Sequence, residues 1–552
     1  MASDQDIVEK IDHVSSLCTE RVILKAILGR GDGGAGLIGE KVVIGGWVKS
    51  SWEIRKEAAQ PRPVLAADAA SPEVVGAKEM RCMEILQSRI PLVRYIVKVL
   101  GGGDHSVREK FVMQKAPKDS TSILQISDGS CVHNLRVLVD SALATPCQVM
   151  PCGTCILVEG ILQQPLMKGK YQVIELKTEK ILHLGTVDQY KYPLSKKRLP
   201  LESLRNFPHF RPRTTTVASV MRIHNALTLA THTFFQDQGF LHVQTPIITT
   251  NNSETLSKKF QVTTLLNNGK IDNQLVNSLE FSKDFFSQET YLIDCGHFHL
   301  ESQACALGNV YSFGPRFKAE KSSESNNLLA ETWMVDVEMA FSELEDAMDC
   351  ADEFLKFVCK RILESCTEDI QFILKRIDKA VMDRLQLIIS SSFEKISYDV
   401  AIEVLTEATG NKFEKKIEWG DSLTEEHESY LVNEIYTKPV IIYNHPKEIK
   451  SFYAKLNEDG KTVATFDVVL PKVGTLVRGS QSEECFDKLR TRIEELELPK
   501  QQYEWFLDLR KNGAAKTSGF NLMLEPLVLY ATGLNDVKDV VPFPRSFGRA
   551  KF

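Results

Sequence analysis

An α+β chain in two unequal parts is predicted by three observations. Short β-rich segments separated by turn residues fill much of 39–188, a basic hinge follows, and from about 213 one long helix leads into strands alternating with helices. The 552 residues leave room for two to four domains at roughly 150 residues each. Hydrophobic residues at 43% and charged residues at 25% are an ordinary soluble composition. A net charge of −6 excludes a globally basic nucleic-acid binder and leaves local basic patches open.

Residues 1–38 read as a helical segment, with a helix over Ile11–Ile27 that ends at the turn Gly29-Arg-Gly-Asp-Gly-Gly34. Residues 39–188 read as a small antiparallel barrel. Its strands are expected at Lys41–Val48, Ile123–Ile126, Leu135–Val139, Cys155–Val158 and Tyr171–Leu176. An insertion at 53–118 interrupts it, first as an Ala/Pro-rich linker (Ala58–Ala77), then as an amphipathic helix (Lys78–Leu100). The hinge spans 189–212. Residues 213–552 form the larger domain, with a helix over Val217–Gln238 and a polar, helix-rich insertion at about 343–435.

Barrels of this kind commonly bind oligonucleotides, with aromatics stacking on bases and cations meeting phosphates. Trp47, Lys49, Arg136 and Tyr171 are the contacts expected here, with Trp47 and Tyr171 as core aromatics the alternative. Twelve cysteines include Cys152-Gly-Thr-Cys155, which lacks the second ligand pair a zinc site needs and reads as reduced thiols. No signal, transit or membrane-spanning pattern is present, so a cytoplasmic location is expected.

Three segments then narrow the class. The first, Phe234–Pro246, reads as a helix followed by a strand that ends in proline. The second is Val310-Tyr-Ser-Phe-Gly-Pro-Arg-Phe-Lys318-Ala-Glu320, a loop, then Glu331–Phe341. The third runs from Gly519 through Glu525-Pro526 to Gly533, and on to Val541-Pro-Phe-Pro-Arg545. In order and spacing they resemble the three motifs of class II aminoacyl-tRNA synthetases, aspartate/asparagine/lysine subgroup. The stretches Leu279–Phe286, Phe466–Gly474, Gly479–Glu484 and Tyr503–Arg510 look like the eukaryotic cytoplasmic, plant-like asparaginyl-tRNA synthetase.

That resemblance implies an N-terminal five-stranded OB-type barrel that binds the anticodon. It also implies a class II catalytic domain with a mostly antiparallel sheet flanked by helices. The implied activity is asparagine–tRNA ligation: ATP activates asparagine, and the acyl group passes to tRNA(Asn). ATP, Mg²⁺ and a homodimer come with it. Carboxylate and α-phosphate are both negative, so such a site must position and neutralise them.

The implied catalytic residues are Lys318, Glu320 and Glu338; those for ATP are Lys318, Glu320, Asn521, Glu525 and Pro526. Glu254, His297, Glu301 and Ser482 would bind the amino acid, and Asp467 with Thr475 the metal. Several positions depart from the family pattern. Lys318 and Pro526 replace arginines, Thr475 a glutamate, and Ser482 the arginine that reads the asparagine side chain. Asn521 and Met523 replace glycines, Cys295-Gly-His297-Phe298 replaces Ser-Gly-Gln-Leu, and Thr255, Leu256 and Ser257 follow Glu254. Lysine keeps the charge but loses the fork of arginine, and proline has neither charge nor donor. The 325–328 loop, Ser-Asn-Asn-Leu, lacks the family's Arg-His pair. Arg316, Lys321 and Arg478, the last at a family glycine, are the nearby cations that would have to substitute. The reading is a ligase with a degenerate site. The alternatives left open are a catalytically impaired paralogue acting as a tRNA-binding or regulatory protein, and an enzyme turned to another small substrate.

Overall fold

The computed structural model describes residues 21–55, 120–166, 173–195, 198–250, 258–265, 280–320, 328–408 and 413–551. Most of the expected N-terminal helix, the 56–119 linker and helix, Tyr171, Glu254–Ser257, Lys321 and 325–327 lie outside them.

Five strands close the barrel: β1 (Lys41–Arg55), β2 (Ser120–Ser127), β3 (Leu135–Asp140), β4 (Cys155–Gln163) and β5 (Glu175–Gly185). β1 is long enough to pair with β4 through Lys41–Trp47 and with β2 through Trp47–Arg55, shifting register at Val48/Ser50. In β4 the period of two is complete, with Ile156, Val158, Gly160 and Leu162 inside. The last strand starts later than expected and runs further. Its outward residues Lys177, Glu179 and Lys180 are charged, so the apolar run ends before the strand does.

The larger sheet has eight strands: β6 (Leu241–His242), β10 (Val310–Phe317), β11 (Glu331–Ala340), β12 (Glu394–Ser397), β13 (Val440–Pro446), β14 (Thr462–Leu470), β15 (Gly474–Gln481) and β16 (Thr517–Met523). Their order across the sheet is β12-β13-β14-β15-β16-β11-β10-β6. Only the two edge pairs are parallel. Short strands β7 (Ile248–Thr249), β8 (Gln261–Val262) and β9 (Thr290–Leu292) form a separate small sheet.

The helix expected after the hinge spans Thr215–Asp237, and the Thr214 hydroxyl caps it by accepting from Val217 N–H. Its buried stripe Val220, Ile223, Leu227, Ala230, Phe234 keeps the helical spacing. Phe235 stacks on Tyr311 of β10 and on Phe354 of the helix Leu344–Ser365, at 4.9 and 5.0 Å.

Of residues 343–435, expected as an insertion, the part up to Phe393 is built into this core, and apolar residues within 396–432 form a second cluster with Val440, Ile442 and Val469 of β13 and β14. The helices Leu344–Ser365, Thr367–Arg376 and Val381–Ser390 bury Leu355, Val358, Ile370 and Leu385 with the sheet, and β12 is an edge strand of it. The polarity that suggested an excursion is the outer face of amphipathic helices.

Strand periodicity assigns the two faces of the sheet. Tyr311, Val335, Val337, Phe466, Val468, Val477, Phe520 and Leu522 enter the helix-covered core. Their neighbours one residue along must therefore point the other way. In register these form two polar rows: Asp467–Arg478–Asn521–Asp336–Ser312 and Thr465–Ser480–Gly519–Glu338.

Candidate active site

The two rows floor a cavity of about 130 Å³ whose lining includes His297, Asp336, Lys450, Tyr453, Asp467, Arg478 and Asn521. The helix His297–Leu307 supplies one wall and places His297 and Glu301 on one face at i, i+4. Gly296 precedes it because a Cβ there would run into the Arg316 guanidinium.

His297 sits between two carboxylates. Its Nδ1 is 3.3 Å from Glu338, its Nε2 is 3.4 Å from Glu301, and its ring stacks on Tyr453 at 4.3 Å. Glu301 also accepts from Arg510, from the Thr517 hydroxyl at 3.2 Å and from the Ser482 hydroxyl at 3.2 Å. Burial alone would lower the His297 pKa, but Tyr453, Glu338 and Glu301 outweigh it and hold the ring well above its ordinary value. The two carboxylates thus favour the imidazolium form. Burial pushes Glu301 up, and Arg510 with His297 pulls it below the usual carboxylate range. Burial keeps Glu338 above it. The donor atoms of His297, Glu301 and Glu338 lie within 4.8 Å of one another, as a metal site would require. Here His297, between the two carboxylates, and Arg510, on Glu301, already take the place of a metal's positive charge.

A second buried pair flanks the cluster. Arg316, 1% exposed, bonds Asp336, and reaches the Ser312 and Thr245 hydroxyls, each at 3.2 Å. It is thus committed and unable to stand in at a phosphate.

Asp467 and Thr475 do not fit as the expected Mg²⁺ pair. The Asp467 carboxylate is 2.6 Å from Lys450 Nζ and 3.4 Å from His445 Nε2. Burial raises its pKa, but Lys450, His445 and Arg478 bring it down to about 2. His445 itself is lowered to about 3 by burial and Lys450, so it is neutral. The Thr475 hydroxyl donates to Glu428 at 2.6 Å and its N–H to the other Glu428 oxygen at 2.8 Å. One Asp467 oxygen lacks a donor, which is short of the several oxygen ligands hard cations take. Lys450 and Arg478 act on Asp467, and Arg478 on Glu428, so these carboxylates already have cations in place of a metal.

The remaining expected ATP residues lie elsewhere. Lys318 and Glu320 follow β10 and line a different cavity, of about 670 Å³, with Phe260, Glu331, Arg545 and Arg549. The C-terminal tail closes this cavity through a bond from Ala330 N–H to the Arg545 carbonyl at 2.7 Å. Pro526 stands in the first turn of the helix Leu524–Thr532, where the missing N–H costs little. Glu525 is not an open ligand. It is 1% exposed and accepts from Trp333 N–H at 2.8 Å.

Burial pushes the Glu525 carboxyl up to about 7. The folded protein therefore keeps a proton that the unfolded chain loses near its ordinary pKa of about 4.3. The stability this confers is complete below that pH and is lost as pH rises towards 7. Glu525→Gln is expected to match the wild type at pH 4 and to exceed it at pH 8 by about 3 kcal/mol. Urea midpoints at both pH values check this; parallel pH dependence in the two proteins would refute it.

In the barrel, Trp47 and Lys49 come together at the junction with the larger domain. Arg213 lies over the Trp47 ring at 5.4 Å, and Lys49 Nζ donates to the Arg213 carbonyl. With Arg222, His209 and Asn225 they line a cavity of about 540 Å³. Arg136 is a correction. It is 8% exposed and its guanidinium pairs with the fully buried Glu175 at 3.5 Å, so its charge is spent inside the barrel. Cys152 and Cys155 are half-buried free thiols.

Sequence reading missed Arg510, Tyr453, Lys450 and Glu428. Arg510 closes the stretch Tyr503–Arg510 that carries the resemblance but was given no site role there, Lys450 lies in none of the stretches, and Glu428 lies in the one read as an insertion.

Residues 201–547 match the family model for class II tRNA synthetases (D, K and N). A solved asparaginyl-tRNA synthetase from Pyrococcus horikoshii, complexed with asparaginyl-adenylate, shares the fold at TM-score 0.71 and 24% identity, covering 96% of this chain and 99% of that one. Fold and family thus define a class II tRNA synthetase. The chain is 46% identical to the asparagine–tRNA ligase, cytoplasmic 2, of Arabidopsis thaliana, over 99% of this chain and 98% of that protein. It is 38% identical to cytoplasmic form 1 of the same plant, over 96% and 95%, and 42% identical to the asparagine–tRNA ligase of Protochlamydia amoebophila, over 78% and 92%. The chain belongs to the asparagine–tRNA ligase family.

Proposed function

We propose that this chain is an asparagine–tRNA ligase acting in the cytoplasm with a rearranged active site. Asparagine's carboxylate attacks the α-phosphorus of ATP, pyrophosphate leaves, and the acyl group passes to a terminal ribose hydroxyl of tRNA(Asn) as AMP departs. The observation that carries this is 46% identity along 99% of the chain to a relative with that name.

In this reading residues 39–188 bind tRNA through the Trp47 and Lys49 face, 189–212 is the hinge, and 213–552 is catalytic. Lys318 and Glu320, with Arg545 beside them, hold the nucleotide. His297, Glu301, Glu338 and Ser482 form the amino-acid pocket. Mg²⁺ enters only as the counter-ion ATP carries in solution; no residue here is assigned to it. A homodimer forms through the first motif, where Leu241 is 51% exposed, with Leu229 and Ile247 on either side of it 65% and 46% exposed. Among the described residues no helix is long and apolar enough to cross a membrane.

One observation favours the second reading, an impaired paralogue that binds tRNA or regulates. The His297 imidazolium already occupies the place between Glu301 and Glu338, where a substrate ammonium would find its counter-charges. Asparagine-dependent exchange of labelled pyrophosphate into ATP, run beside tRNA(Asn) charging, separates the two. Exchange with charging is expected. tRNA binding without exchange would establish the paralogue.

A further inference from the structure

The charged side chains that line the central cavity are nearly all paired. Lys450 holds Asp467, Arg316 holds Asp336, and His297 lies between Glu301 and Glu338. Arg478 differs: among the described residues its side chain makes no hydrogen bond and no ion pair, and it is exposed. It projects from the middle of β15, in register with Asp467 on one side and Asn521 on the other. Asp467 and Glu428 lie within its field, but its N–H donors are not taken up by either, so the guanidinium is free to accept an anion. A guanidinium is built to grip phosphate or carboxylate with two parallel N–H donors. About 130 Å³ is room enough for a phosphate group. Beside it, Lys450 occupies the Asp467 carboxylate and Glu428 occupies Thr475, the two positions expected to hold a metal.

We propose that Arg478 binds a phosphate group of ATP by fixed charge, so that this chain binds nucleotide without needing a divalent cation. The inference rests on the ATP-using reading above. A fixed guanidinium needs no ligand cage and is weakly hydrated, and it survives the loss of a carboxylate that would cripple a metal site.

The test measures ATP and inorganic tripolyphosphate binding to the full chain by calorimetry, with Mg²⁺ and with EDTA. It compares the wild type with Arg478→Gln and Arg478→Lys. Because Arg478 is exposed and unpaired, both variants should melt as the wild type does. ATP is expected to bind within about threefold with or without Mg²⁺. Arg478→Gln should weaken both ligands about ten- to a hundredfold, the loss of a charge-assisted pair, and Arg478→Lys should recover part. ATP binding that vanishes on chelation, or an Arg478→Gln protein that binds as well as the wild type, overturns the inference and leaves the ATP reading standing. Tripolyphosphate binding through Arg478 without ATP binding overturns the ATP reading and leaves only an anion site. Binding of neither ligand under either condition overturns both.

Discussion

Arg510→Met is expected to be the most destabilising single substitution in the site. Arg510 is 8% exposed, bonds the Glu301 carboxylate and donates to the Glu483 carbonyl at 3.0 Å. Methionine keeps the stem's packing against Phe506, over which the guanidinium lies at 4.0 Å, and removes the charge. Glu301, 1% exposed, would be left with His297 and two hydroxyls. Breaking a buried pair from one side costs about 3–5 kcal/mol, a large share of the roughly 5–15 kcal/mol that holds a domain together. A fall of about 10 °C in the melting temperature is expected. The loss should deepen as pH rises through the elevated pKa of His297, because Glu301 then loses its second cation as well. Arg510→Met combined with Glu301→Gln removes both charges and should recover most of the stability. A double variant as unstable as Arg510→Met alone would show that the ion pair is not the cause.

The second large effect concerns activity. Ser482→Arg restores the residue that reads asparagine in the family, but alone it is expected to lower exchange. Ser482 is 1% exposed and 3.2 Å from Glu301, so an arginine there would crowd a third cation against Arg510 and the His297 imidazolium. His297→Gln with Ser482→Arg keeps the count at two cations and two carboxylates and frees the side of Glu338. The pair is expected to raise asparagine-dependent pyrophosphate exchange by about two to three decades, the size of one recovered charge-assisted transition-state contact. If Ser482→Arg alone matched the pair, the imidazolium would not be the obstacle. Thr475→Glu is a poor repair for a related reason: it would set a carboxylate against Glu428, whose pKa burial already raises.

What was legible in the chain followed from local chemistry. Strand alternation in β4, the capped helix after the hinge and the three motifs each depend on residues near one another in sequence, so class, barrel and sheet were readable. Substitutions at motif positions were readable for the same reason: Lys318, Thr475, Ser482 and Pro526 stand where a pattern is known.

Partnership was not readable, because it joins residues far apart. Arg510 meets Glu301 across 209 positions and Thr475 meets Glu428 across 47. Of the three cations expected to substitute, Arg316 proved committed to Asp336, Lys321 lies outside the described residues, and Arg478, among those residues, makes no hydrogen bond or ion pair through its side chain. Arg136 likewise became half of a buried pair rather than a phosphate contact. The sequence by itself determined which charges this protein carries and on which strands. Only the tertiary structure decided which of them cancel, because cancellation depends on distance and burial, and the fold sets both.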